Sequence, residues 1–81
     1  MDNAADRLAR CFNLVFPDVP KRLIRQASPE TVRTWDSLNL VTLVAVIEEE
    51  FGIVIDASDP DRFDSFETIL RLVEEKLILQ S

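Results

Sequence analysis

The fifteen residues from Ser37 to Phe51, SLNLVTLVAVIEEEF, limit the fold more than any other part of the chain. They are too long for an ordinary strand and show no strict polar–apolar alternation, so the helical period is the one that fits. Asp36 and Ser37 stand at the front of the segment. Their side-chain oxygens are the kind that accept bonds from the first free amides of a helix. Gly52, the single glycine of the chain, stands where a helix would stop. The spacing therefore predicts a helix from about Ser37 to Glu50, ending near Phe51. On a wheel of about 100° per residue, Leu40, Leu43, Val44, Ile47 and Phe51 fall within about a third of the circumference, a core-facing stripe. The other side carries Leu38, Val41, Thr42, Ala45, Glu48 and Glu49. That side is apolar near its beginning and acidic only lower down. Two readings follow: a docking strip with a charged rim, or a second buried face in which Val41 and Val46 are covered by neighbouring helices.

The rest of the chain repeats the helical period. Ala5, Leu8, Phe12 and Val15 share a face of a first helix from about Asp2 to Val15, which Pro17 and Pro20 end. Cys11 lies beside that face and reads as a small buried filler rather than a reactive thiol. Residues 17 to 35 form a long connection. Its apolar pair, Leu23 and Ile24, is expected to tuck under the bundle. Ser28, Pro29 and Glu30 read as the cap and first turn of a brief helix. Ile53, Val54 and Ile55 form an extended apolar connector. Asp59-Pro60-Asp61 starts a short helical turn ending near Phe63. A last helix begins at Asp64 or Ser65, where Asp64 and Glu67 have capping-box spacing, and it places Phe66, Ile69, Leu70, Val73 and Leu77 on one face. The expected fold is all-α: one domain over residues 1–81, a small four-helix bundle of three main helices and a short third one, with a long first loop. Trp35 reads as a packing residue at the bundle edge.

Composition narrows the chemistry. The formal net charge is −6, from 15 acidic and 9 basic residues. Such a surface repels phosphate backbones and favours basic protein partners over nucleic acid. Histidine is absent, which removes the commonest general acid–base and the commonest neutral metal ligand. Glu48, Glu49 and Glu50 spiral around the helix instead of converging, so an enzyme of paired carboxylates is a remote reading. Cys11 is the one cysteine, which allows neither an intramolecular disulfide nor a cysteine-built metal site and suits a reducing compartment. No apolar stretch is long enough to span a bilayer and no basic-then-apolar leader is present. The expectation is a soluble, cytoplasmic chain.

A serine at the open start of a helix is a place where a phosphate sits comfortably, because free amides and the helix dipole both favour negative charge. Ser37 thus reads either as a cap or as a site of covalent phospho-modification. The stretch from Asp36 through Asp56, DSLNLVTLVAVIEEEFGIVID, resembles the attachment region of acyl carrier proteins. The matching positions are Asp36-Ser37-Leu38, Leu43, Ile47-Glu48, Phe51, Ile53 and Ile55. The tripeptide alone is common by chance. Glu48 eleven residues after Ser37, Phe51 fourteen after, and the helical context make the pattern specific. The resemblance covers essentially the whole chain.

The resemblance implies an acyl-carrier-protein-like bundle that acts as a non-catalytic, monomeric carrier. Ser37 would receive 4′-phosphopantetheine from coenzyme A through a separate phosphopantetheinyl transferase, whose own site holds the magnesium. Asp36 would support recognition. The thiol of the arm would hold cargo as a thioester, and tethering would raise the cargo's effective concentration at each enzyme the carrier meets. Acyl- or aminoacyl-loading and acyltransfer enzymes with basic docking patches would read Leu38, Val41, Thr42, Ala45, Glu48 and Glu49. Bacterial fatty-acid carriers of this family usually place acids where this chain has Asn39 and Thr42, and a Gly-Ala type of approach where it has Trp35. These departures point away from housekeeping fatty-acid synthesis and toward a dedicated pathway: polyketide, nonribosomal peptide, or a modified lipid or sugar. A peptidyl or aminoacyl carrier would share the same serine and fold. A helical adaptor without a prosthetic group would use the same apolar strip.

Overall fold

The computed structural model describes residues 3–55 and 63–80. Among them run α1 (Ala4–Val15), a 3-10 helix (Lys21–Gln26), α2 (Ser37–Phe51) and α3 (Phe66–Gln80), with no strand. The all-α expectation holds. The short helix expected around residues 59–63 falls largely outside the described residues; Phe63 itself is buried.

α1 begins where the Asn3 side chain accepts a bond from the Asp6 amide at 2.9 Å, a side-chain cap. Its buried residues are Leu8, Cys11 and Phe12, and Phe16 just beyond the helix is buried with them. Ala5 and Val15, expected on the same stripe, are only half-buried. Cys11 belongs to the core face itself rather than lying beside it. α1 is the central element and packs against α2, α3 and the 3-10 helix. Arg7 fastens it to the end of α2 in three ways. Its Nε pairs with Glu50 Oε2 at 2.8 Å, its Nη2 donates to the Glu50 carbonyl at 2.7 Å, and its guanidinium lies 4.5 Å from the centre of the Phe51 ring.

The long connection differs from the expectation in two places. The pair Leu23 and Ile24 is split: Ile24 is fully buried, whereas Leu23 is 41% exposed. The 3-10 helix carries them, and only one of two adjacent side chains on so tight a turn can face inward. Ser28-Pro29-Glu30 opens a single turn, not a helix. The Ser28 carbonyl accepts from the Thr31 and Val32 amides, and the Thr31 hydroxyl closes the turn on the Ser28 amide at 3.0 Å. The Thr31 side chain thereby supplies an acceptor for an amide that no turn following Ser28 would satisfy. Ile24, Ala27 and Val32 anchor the connection in the core, and the Ala27 carbonyl accepts from the Phe66 amide at 2.9 Å, tying it to the start of α3.

α3 is capped one residue later than the Asp64–Glu67 spacing suggested. Ser65 Oγ accepts from the Thr68 amide and Thr68 Oγ1 accepts from the Ser65 amide, both at 3.1 Å. This is the reciprocal pattern of a capping box, with threonine in the place of the usual Glu or Gln. Asp64 supports it by accepting from the Thr68 hydroxyl at 2.8 Å. Phe66, Ile69, Leu72 and Val73 are buried; Leu72 had not been placed on the inner face, and Leu70 and Leu77 sit at its margin. No helix among the described residues is long and apolar enough to cross a membrane.

Candidate functional site

The start of α2 is held by three neighbours in sequence. Asp36, in an extended conformation, accepts the Asn39 amide on Oδ1 at 2.9 Å and the Leu40 amide on its carbonyl at 2.9 Å. Asn39 returns the contact to the preceding loop, donating from Nδ2 to the Thr34 carbonyl at 2.7 Å. Trp35 is half-buried and stacks on Phe16 with centroids 5.6 Å apart and planes 11° from parallel. It also meets Phe12 at 5.7 Å, and Phe12 in turn meets the Phe66 ring edge-on at 5.0 Å. The approach to α2 is thus pinned to α1 by an aromatic cluster, which agrees with the packing role expected of Trp35.

Ser37 is the first residue of α2 and is exposed. The capping bond is made by Asp36, so the Ser37 hydroxyl is not needed to satisfy a helix amide. It makes no hydrogen bond within the described residues. The alternative in which Ser37 is the cap of this helix is therefore removed.

Beyond Ser37 the outer face runs Leu38, Val41, Thr42, Ala45 and Glu49, all exposed, with Leu38 at 76% and Val41 at 68%. The alternative of a second buried face does not hold for Val41; Val46 is partly covered against the core. The Thr42 hydroxyl turns inward to its own helix and bonds the Leu38 carbonyl at 3.2 Å. The inner face buries Leu43, Val44, Ile47 and Phe51 as expected, with Leu40 at its margin.

The three glutamates at the end of α2 have separate occupations. Glu48 is half-buried, and its Oε2 accepts from the Ile55 amide at 2.8 Å. Its carbonyl also takes the Gly52 amide at 2.8 Å and the Ile53 amide at 3.3 Å. Gly52 has φ 65°, the left-handed conformation that ends so many helices. Glu50 is paired to Arg7. Glu49 alone has no hydrogen bond or ion pair among the described residues. So one of the two acids expected to meet partners, Glu48, also holds the connector after α2. The sequence pattern could not separate these roles, because the bond depends on how the chain folds back after Gly52.

Cys11 is 2% exposed and lies where α1 faces α2, at the floor of a hollow that Val46, Glu49 and Glu50 also line. Burial, reinforced by the Glu50 charge, pushes its thiol up to about 11. It is a protonated filler and not a nucleophile at neutral pH. Among the described residues no group of acidic or sulfur side chains is arranged to hold a metal ion.

No family model matches the chain, and neither a curated protein nor a solved structure shows significant similarity to it.

Proposed function

We propose that this chain is a carrier protein of the acyl-carrier type. In this reading Ser37 bears 4′-phosphopantetheine and the arm's thiol holds acyl intermediates for a dedicated biosynthetic pathway. The observation that carries the reading is the division of labour at the start of α2. Asp36 caps the helix, and Ser37 is left exposed and unbonded beside amides that favour a phosphate. The resemblance from Asp36 to Asp56 supplies the identity of the modification.

The chemistry asked of the chain is modest. The Ser37 oxygen attacks the phosphorus of coenzyme A that bears the pantetheine. The pyrophosphate bond breaks, the adenosine bisphosphate leaves, and the serine proton passes to a base of the transferase. The carrier contributes a positioned hydroxyl and a surface. Leu38, Val41 and Ala45, with Thr42 among them, offer an apolar strip that a partner enzyme can cover, and Glu49 sets an acidic rim for a basic patch. Glu48 contributes charge to the same rim while bonded to Ile55.

The test is intact-mass analysis after incubation with coenzyme A, magnesium and a promiscuous phosphopantetheinyl transferase. The expected result is the gain of one phosphopantetheinyl group, and none in Ser37→Ala. An unmodified wild-type chain would overturn the carrier reading and leave a helical adaptor using the same strip. Loading of the modified protein by an acyltransferase or by an adenylating enzyme then separates an acyl carrier from an aminoacyl carrier.

A further inference from the structure

A cavity of about 420 Å³ opens in the long first connection, on the chain segment that leads into Ser37. Val19, Pro20 and Leu23 form one wall, and Val32, Arg33 and Thr34 form the other. Leu23 is the apolar side chain that fails to enter the core, and this cavity is what it faces. Asp18 and Thr31 line it as well, and the Thr31 hydroxyl is bonded within its own turn. Gln26, Arg33 and the Thr34 hydroxyl line the cavity and make no side-chain hydrogen bond or ion pair among the described residues. The walls are held in place by the Phe16–Trp35 stack on one side and by the Ser28–Thr31 turn on the other. It is a preformed feature of a pinned segment.

We propose that this cavity seats the pantetheine arm carried by Ser37, an inference that rests on the carrier reading above. Three properties of the cavity match that occupant. The first is reach. Thr34 is three residues before Ser37, so their backbones are at most about 11 Å apart, whereas an arm with two amides in series extends about as far as five residues of chain, about 17 Å. The second is charge. Arg33, four residues before the attachment point, lines the cavity without an ion pair, and the arm's phosphodiester is anionic; the Asp18 carboxylate, which also lines the cavity, offsets part of that attraction. The third is surface. The branched dimethyl segment of pantetheine suits the Val19, Pro20, Leu23 and Val32 walls, and its amides suit the Gln26 amide and the Thr34 hydroxyl. Leu38, Val41 and Ala45 are not among the residues that line the cavity. That strip stays free for a partner, and docking would draw the arm out.

The experiment compares amide spectra of the ¹⁵N-labelled chain before and after modification with coenzyme A, with the mass recorded on the same sample. A seated arm shifts Val19, Leu23 and Gln26, which are far from Ser37 in sequence. In modified Leu23→Asp the shifts at Val19 and Gln26 collapse while those at Leu38 and Asn39 remain. The arm's thiol also reacts with a thiol reagent several-fold faster than in the wild type; Cys11, being buried, does not obscure the reading. A mass gain with shifts confined to residues 36–42, or spread along Leu38, Val41 and Ala45, would overturn the seat and leave the carrier reading standing. No mass gain would overturn both.

Discussion

The inner and outer faces of α2 are made of the same kinds of residue and meet opposite fates. Leu43, Val44 and Ile47 are buried against α1 and its neighbours, while Leu38, Val41 and Ala45, one step round the same helix, face solvent. Burial is decided by whether another element reaches a face, not by how apolar the face is. A leucine left in water forgoes about 1.5–3 kcal/mol of burial. Among the described residues nothing of the chain itself covers the outer strip. In the carrier reading, partner enzymes cover it in turn.

The largest effect expected from this contrast is a difference between two leucines. Leu43→Ala removes a fully buried side chain and is expected to cost about 2–5 kcal/mol through lost transfer energy and the cavity left behind. Leu38→Ala is expected to change stability by no more than about 0.5 kcal/mol. Urea denaturation of both variants measures the difference. A comparable loss in Leu38→Ala would mean that the outer face is covered in solution, by a second copy of the chain or by the segments outside the described residues.

A middle-sized effect lies on the seam between α1 and α2. Cys11 has its thiol pushed up from 9.0 to about 11 by burial, with Glu50 adding to the shift. The neutral thiol is the form that folding favours. The stability this contributes is therefore complete below pH 9 and is lost as pH rises toward 11. From those two values the loss between pH 8 and pH 10 is on the order of 1 kcal/mol. Cys11→Ala is expected to lack that part of the pH dependence. The comparison of wild type and variant at the two pH values cancels the titration of the lysines. Equal slopes would place Cys11 in contact with water and loosen the packing of α1 on α2.

The two faces and the cap of α2 were legible in the sequence for a simple reason. Helical spacing, an Asp at the start and a Gly at the end are local signals, and the structure realises each of them at Leu43–Phe51, Asp36 and Gly52. The first connection was less legible. That Ile24 enters the core and Leu23 does not, and that Phe16 joins Trp35 in a stack, depend on contacts between segments twenty residues apart. No local pattern encodes them. The start of α3 shows the intermediate case: Asp64–Glu67 and Ser65–Thr68 have the same spacing, and the choice goes to Ser65, whose neighbour Phe66 is tied to Ala27 across the fold. The candidate site divides along the same line. Ser37 and the members of the strip lie within one helix and were readable as a set, whereas the strip's exposure, left open between a docking strip and a second buried face, depends on where the other elements pack.

The smallest effect divides two adjacent acids, and it repeats the contrast of faces at the scale of one residue. Glu48 turns toward the connector and accepts from the Ile55 amide; Glu49 points outward with no such partner among the described residues. Glu48→Ala is expected to cost about 1 kcal/mol, because the half-buried amide of Ile55 loses its acceptor. Glu49→Ala is expected to be neutral in urea denaturation. The functional readout has the reverse bias. Glu49→Lys should slow association with a basic partner, such as the transferase, and reduce the salt dependence of that rate without touching the fold. Glu48→Lys disturbs both at once, so only the outer acid isolates docking. If Glu49→Lys left the rate and its salt dependence unchanged, the acidic rim would have no part in recognition, and the apolar strip from Leu38 to Ala45 would have to carry partner binding alone.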